Sequence, residues 1–434
     1  MPGDEIPVTI LSGSLGAGKT TLVNHLLDNA DGREIAVLVN DMGEINVDAE
    51  LVSGRSSGLA GDVTELSNGC ICCELRGDLD RAVMRLARER DFDHLVVEAS
   101  GISEPGPVAK LFTRGNASAR YVVDALVTVV DAHQFSTAFG EERTVERRGA
   151  TEGETRPLSD LLVEQIELAN VVLLNKADLV SEAELATVEE LVHGLRPDAE
   201  IVRTQYSAVD PDELLGRRLY DPARTAEAAG WRQVLAETES HDGNQDDADG
   251  DHGHADHVDH DSHADHADHD SYDHHGGHSH PEEEYGVTSF AYRRRRPFDP
   301  ERVAAVLSDL PASVVRSKGT LWVAGSELTQ GFSQAGPSAH VEATGPWVAT
   351  RPDFEQDAYR RNHRDLPWDD EWGDRRTELV FIGTGIDEAA LVDRLDDCLL
   401  ADEAFADYDP ATWDVGDFPA ETGEEVRLAT PEGE

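Results

Sequence analysis

The sequence predicts an α/β protein: a domain with a mostly parallel sheet, followed by a smaller C-terminal α+β domain. Three observations predict it. A glycine-rich loop, Gly13-Ser-Leu-Gly-Ala-Gly-Lys-Thr20, stands between the apolar run Val8-Thr-Ile-Leu11 and the helix-forming run Thr21 to Leu27. Short apolar runs then recur among helical stretches, as parallel strands joined by helices require. Past residue 240 the chain loses apolar residues for about forty positions and regains a globular pattern after Pro281.

The elements follow in order. The opening loop has the form G-x-x-x-x-G-K-T, in the strand-to-helix setting that a phosphate loop needs. Gly13, Gly16 and Gly18 let the backbone curl and aim N–H groups, with those of Ser14, Ala17 and Thr21, at phosphate oxygens. The helix N-terminus adds its partial positive charge. Lys19 is expected to reach the β- and γ-phosphates, and the Thr20 hydroxyl to hold Mg²⁺. Ile35–Val39, Leu95–Val97, Ala125–Val130 and Val171–Leu174 read as buried strands, ending at Asn40, Glu98, Asp131 and Asn175. Ligands of open α/β sheets bind at that carboxyl edge. Asn175-Lys-Ala-Asp178 suits guanine: the Asp178 carboxylate accepts from N1–H and the exocyclic amine, and the Lys176 stem lies over the base. Ser207-Ala208, after the strand-like Ile201-Val202, completes the expected base pocket. The nucleotide is expected to be GTP.

Charge excludes several partners. The 434 residues carry a formal net charge of -51, which repels nucleic acid and anionic membranes. Lysine occurs only at Lys19, Lys110, Lys176 and Lys318, so 33 of the 37 basic residues are arginine. Such a surface repels itself at low ionic strength, whereas at 1 M salt the screening length is roughly 3 Å. A halophilic source is expected. No leader pattern opens the chain and no apolar run is long enough to cross a bilayer, so the chain reads as cytoplasmic.

Residues 141–158 read as an exposed, charged loop, and Leu161 to Leu168 resumes a helix. Twelve histidines between His241 and His280 alternate with aspartates and small residues, the composition of a disordered linker that either captures metal loosely or is a solvated acidic linker with incidental histidines. Beyond it, Thr288–Tyr292, Val314–Arg316, Thr320–Val323 and Leu379–Ile382 read as strands. Asp299-Pro300 caps a helix to about Leu310, and Glu388–Leu400 is amphipathic. The expected division is a nucleotide domain over 1–235, a linker over 236–284, an α+β domain over 285–402 and a frayed acidic tail over 403–434.

Three of the four cysteines, Cys70, Cys72 and Cys73, fall within four residues, a metal or redox pattern rather than a disulfide framework. Thiolates in tetrahedral geometry suit zinc, and cobalt accepts the same donors. A fourth ligand is a water, a carboxylate such as Glu44, or a partner's side chain.

With Asn40-Asp-Met-Gly-Glu-Ile45, Asn68-Gly-Cys-Ile-Cys-Cys73, Val97-Glu-Ala-Ser-Gly101, the phosphate loop and Asn175–Asp178, the sequence resembles the CobW family of P-loop GTPase metallochaperones. Arg296–Asp299, Arg316–Gly319 and Leu379–Gly383 resemble the family's smaller domain. The resemblance implies that Lys19 and Glu98 serve catalysis, that Glu98 and Gly101 sense the hydrolytic water and γ-phosphate, and that Asp41 and Glu44 belong to the first switch. It implies further that Cys70, Cys72 and Cys73 hold a metal passed to a client metalloprotein. Val39 and Asp41 depart from the residues that some members carry, so no second, carboxylate-rich metal site is expected. A regulatory GTP switch with a structural zinc, or an assistant in cobalt insertion into a corrin, is the alternative. Turnover is expected to be slow, since no arginine finger is evident.

Overall fold

The structure, a computed structural model, describes residues 5–39, 63–65, 76–102, 104–139, 147–148, 156–242, 286–364, 366–406 and 408–429. Strands β1 (Ile6–Ser12), β2 (Ile35–Val39), β3 (Val63–Glu65), β4 (His94–Glu98) and β5 (Tyr121–Asp131) are followed by a small antiparallel pair, β6 (Arg147–Arg148) with β7 (Arg156–Pro157). With β8 (Val171–Asn175) and β9 (Glu200–Arg203) the larger strands form a seven-stranded sheet in the order β3-β2-β4-β1-β5-β8-β9. All its pairings are parallel. β2, β4 and β8 are buried throughout, which is why they are unbroken apolar runs and not alternating ones.

Both faces are covered. Helix α1 (Lys19–Asp28) packs Leu22, Val23 and Leu26 against Val37, Val96 and Val127. On the opposite face, α2 (Arg76–Glu89) and α3 (Pro105–Arg114) bring Leu79, Val83, Val108 and Phe112 onto Ile10, Leu38 and Val97. Helices α4 (Ala132–Phe139), α5 (Leu158–Glu167) and α6 (Glu182–Leu195) close a third cluster over Val130, Val172 and Leu174. Two further helices, α7 (Pro222–Glu227) and α8 (Gly230–Asp242), end this half.

The C-terminal half holds a six-stranded antiparallel sheet: β10 (Val287–Arg294), β11 (Val314–Leu321), β12 (Leu328–Ala335), β13 (Ser338–Pro346), β14 (Thr377–Thr384) and β15 (Glu425–Ala429), in the order β10-β14-β11-β12-β13-β15. Helices α9 (Pro300–Ser308) and α11 (Glu388–Asp396) cover one face through Val303, Leu307, Leu391 and Leu395; α10 (Asp353–Asn362) buries none of its residues, and α12 (Asp402–Ala406) is a single turn. The other face rests on the first domain. Val287, Val380 and Ile382 meet Trp231, Val234 and Leu235 of α8, and Val315 and Ala335 join the cluster under α4, α5 and α6. A buried ion pair crosses the junction, Arg316 Nε to Glu167 Oε1 at 2.8 Å, and the Ser338 hydroxyl donates to Asp160 at 2.9 Å.

Several expectations change. The tail expected to fray over 403–434 is part of the sheet in its described residues: β15 pairs with β13, and Phe418 is buried. The two strands expected at 314–316 and 320–323 are one, because Lys318 and Gly319 keep pairing with β12 and β14. The linker expected from 236 begins inside α8. β3, β12 and β13 were not foreseen. In β12 the inward positions include Gln330 and Gln334, whose amides bond Pro419, Val314 and Gly336 carbonyls, so polarity hides the alternation there. The histidine-rich stretch 243–285 lies outside the described residues.

Candidate functional site

β1 delivers the chain to the loop at Ser12, whose hydroxyl shares a 2.8 Å hydrogen bond with Thr128 of β5. Lys19 is buried and folded back, donating through Nζ to the carbonyls of Gly13 at 2.9 Å and Ser14 at 3.2 Å. The loop's own carbonyls thus hold the ammonium inside it. Gly18 is left-handed, with φ 116°, and a Cβ there would lie 2.3 Å from the Asn175 amide nitrogen, so only glycine fits. Gly16 is exposed with φ 79°, Ala17 is fully buried, and Thr21 is exposed on α1.

The parallel register sets the rest. Leu11 and Val39 each stand level with Glu98, and Asp131 with Asn175. Glu98 is buried at the end of β4, and the Thr20 hydroxyl donates to its Oε1 at 3.1 Å. Gly101 lies directly against the loop, since a Cβ on it would meet the Leu15 amide nitrogen at 2.8 Å. Glu98, Gly101, Lys19 and Thr20 therefore all lie at the loop.

Asn175 ties three segments. Its Nδ2 donates to the Ala17 carbonyl at 2.8 Å, and its Oδ1 accepts from Ser207 N at 2.8 Å and Thr204 Oγ1 at 3.1 Å. The Ser207 hydroxyl donates to the Gly18 carbonyl at 3.1 Å. Lys176, in a left-handed conformation with φ 58°, donates through Nζ to Asp131 Oδ2 at 2.6 Å, while Asp178 is exposed beside it. Tyr206 and Ser207 are also left-handed, each with φ 55°, a strained turn held by the Asn175 bond.

Cys70, Cys72, Cys73, Glu44, Asn40 and Asp41 lie outside the described residues. Among the described residues no group of three or more histidine, cysteine or carboxylate side chains is arranged to hold a metal ion. No helix of the described residues is long and apolar enough to cross a membrane. Sequence reasoning missed Thr204 and Gln134, whose hydrogen bonds join residues far apart in the chain; Gln134 Oε1 accepts from the Ser14 hydroxyl at 2.5 Å.

Residues 7–203 match the nucleotide-binding domain of CobW/HypB/UreG proteins, and residues 287–399 match the cobalamin synthesis protein cobW C-terminal domain. The zinc-regulated GTPase metalloprotein activator 1 of Dictyostelium discoideum is 36% identical over 428 residues, covering 92% of this chain and 81% of that protein. The zinc chaperone CobW of Pseudomonas aeruginosa is 38% identical over 224 residues, 49% of this chain and 60% of that one. Among solved structures, Zn(II)-bound YjiA GTPase from E. coli aligns at 19% identity with a TM-score of 0.38, over 92% of this chain and 100% of that chain. With the phosphate loop, the Asn-Lys-x-Asp segment and both domains in place along one chain, the protein belongs to the CobW/HypB/UreG family of P-loop GTPases and carries that family's CobW C-terminal domain.

Proposed function

We propose that the protein is a GTP-hydrolysing metallochaperone that binds zinc, or cobalt, through Cys70, Cys72 and Cys73 and delivers it to a client metalloprotein. The observation that carries this reading is the meeting of Thr20, Glu98 and Gly101 at the phosphate loop, on the same sheet edge from which the cysteine-bearing segment departs. Glu65, the last residue of β3 before that segment, stands level with Val39, and Val39 with Glu98. Three strand spacings of about 4.8 Å separate β3 from β1, roughly 14 Å, and five extended residues reach about 16 Å. The reach from Glu65 to Cys70 is enough to bring a thiolate toward the γ-phosphate region.

In this reading Gly13, Ser14, Gly16, Ala17, Gly18, Lys19 and Thr21 cradle the phosphates, while Asn175, Lys176, Asp178 and Ser207 recognise guanine. The hydroxyl of Thr20 and the carboxylate of Glu98, 3.1 Å apart, are hard oxygen donors that suit Mg²⁺. Bound there, the ion would neutralise charge across the β- and γ-phosphates. Glu98 orients the hydrolytic water, and Gly101 offers its backbone N–H to the γ-phosphate, so phosphate loss releases the segment behind it. Glu44 supplies a further metal ligand. The relatives' names, a zinc-regulated metalloprotein activator and zinc chaperones, support zinc as the cargo. Thiolate chemistry of this kind belongs in a reducing cytoplasm.

The test is a zinc competition titration with GTP, with GDP and without nucleotide, on the parent chain and on Cys72→Ala. GTP should tighten zinc by about 5- to 150-fold, and zinc should tighten GTP by the same factor. Zinc affinity that is equal in the GTP and GDP states would sink delivery by hydrolysis. Zinc retained through hydrolysis would point instead to a switch with a structural metal.

A further inference from the structure

Between the base-recognition segment and the phosphate loop stands one residue with a divided carboxylate. Asp131 Oδ2 accepts from Lys176 Nζ at 2.6 Å. Its Oδ1 accepts from the backbone N–H groups of His133 and Gln134, both at 3.1 Å, and so caps α4. The cap fixes where Gln134 projects, and Gln134 Oε1 takes the hydroxyl proton of Ser14 at 2.5 Å. Ser14 is buried within the loop itself. Its carbonyl and that of Gly13 hold Lys19, and its neighbour Leu15 abuts Gly101.

The far end of α4 is anchored. Phe135 is fully buried and lies 4.6 Å from Phe139, ring centre to ring centre. Phe139 in turn packs with Ser159 under Gly336, in the turn between β12 and β13. With the helix held there, Gln134 is tied to Asp131 directly through its own N–H, within one turn, so a displacement of Asp131 reaches Gln134.

We propose that Asp131 and Gln134 are positioning residues that make the shape of the phosphate loop depend on the base held over Lys176. The identity of the base is then read in the rate of hydrolysis as well as in affinity. A guanine bound by Asp178 keeps the Lys176 stem in place and with it the bond to Asp131. A base lacking the exocyclic amine, as in inosine, loosens Asp178 and Lys176 together, and Ser14 loses its fixed partner. The inference rests on the GTPase assignment and needs neither zinc nor a client.

The experiment is single-turnover hydrolysis of GTP and of ITP by the full chain, alongside GDP affinity, for the parent, Gln134→Met, Ser14→Ala and the double variant. Methionine keeps the length of glutamine and lacks the acceptor. Expected is about a tenfold fall in the GTP rate for each single variant, no further fall in the double variant, and, for Gln134→Met, GDP affinity within twofold of the parent. The GTP-to-ITP rate ratio should exceed one in the parent and collapse to about one in Gln134→Met. An unchanged GTP rate, additive losses, or an undiminished GTP-to-ITP ratio would overturn the proposal. So would an equal loss of GDP affinity in Gln134→Met, which marks a merely structural bond. A parent chain that binds GTP without hydrolysing it would instead refute the GTPase assignment.

Discussion

Replacing Asn175 with alanine tests whether one buried amide holds the nucleotide site together. The residue is 2% exposed and makes three hydrogen bonds, to Ala17, Ser207 and Thr204. Alanine leaves the Ala17 carbonyl and the Ser207 N–H without partners in a dry pocket, while the Thr204 hydroxyl can turn elsewhere. Each of the two stranded groups costs on the order of 1–1.5 kcal/mol, so the total is about 2–3 kcal/mol. Because Ala17 is in the loop and Ser207 in the base segment, the loss falls on pre-organisation of the pocket. GDP affinity measured by calorimetry should fall about 30- to 150-fold. Thr204→Val, which removes only the longest of the three bonds, should cost about fivefold. Asn175→Asp keeps both acceptor contacts but sets a carboxylate oxygen against the Ala17 carbonyl, 2.8 Å away, and should be at least as damaging as alanine. GDP affinity within threefold of the parent for Asn175→Ala would refute the reasoning.

Arg316→Met should destabilise the chain by about 3–5 kcal/mol, because it strands the Glu167 carboxylate at the domain junction. Arg316→Met combined with Glu167→Leu should recover most of that loss in urea unfolding; a double variant as unstable as the single one contradicts this. His94 is buried beside Thr9 and Asp124, and burial holds its pKa down at about 4, against the opposing pull of the Asp124 carboxylate and with some help from Arg33. A depressed histidine pKa means that the unfolded chain binds more protons between pH 6.5 and 4, so stability falls as pH drops through that window, by on the order of 3 kcal/mol. His94→Gln should flatten the thermal midpoint against pH there, and an unchanged slope would contradict the assignment. With a net charge of -51, the midpoint should rise as KCl goes from about 0.1 to 2 M, where screening lengths shrink from about 10 Å to below 3 Å; a flat or falling midpoint argues against salt adaptation.

Much of the first domain was legible because its chemistry demands residue types at fixed spacing. Gly18 must be glycine to let Asn175 and Ser207 close over it, and strands buried on both faces announce themselves as apolar runs. What stayed hidden obeys other rules. Val63–Glu65 is a three-residue edge strand, too short for a pattern to show. β12 carries two glutamines inward, whose side-chain amides satisfy the Pro419 and Val314 carbonyls. α10 buries nothing, so no apolar stripe marks it. The tail's acidity hides its anchoring: Phe418 is buried, and β15 pairs with β13 while Leu428 packs on the C-terminal core. Asp131 was visible as a polar strand end, but its double duty toward Lys176 and Gln134 is a tertiary fact.

The lysines of this chain show how charge and contact are linked. Only four are kept among 37 basic residues, and three of them are committed. Lys19 spans two loop carbonyls, Lys176 binds Asp131, and Lys318 stands 5.1 Å from the Trp231 ring at the domain junction, where burial pulls its pKa down. Only Lys110 is exposed on a helix. Arginine does the surface pairing, as where Arg203 bridges Glu182 and Glu189 or Arg217 meets Glu200. The division follows from the side chains. An ammonium is a compact, strongly hydrated point charge, suited to a phosphate or a single carboxylate, whereas a planar guanidinium grips carboxylates bidentately on an acidic surface. Lys19 and Lys176 each fill a position that takes a point charge, the first between two loop carbonyls and the second against one carboxylate.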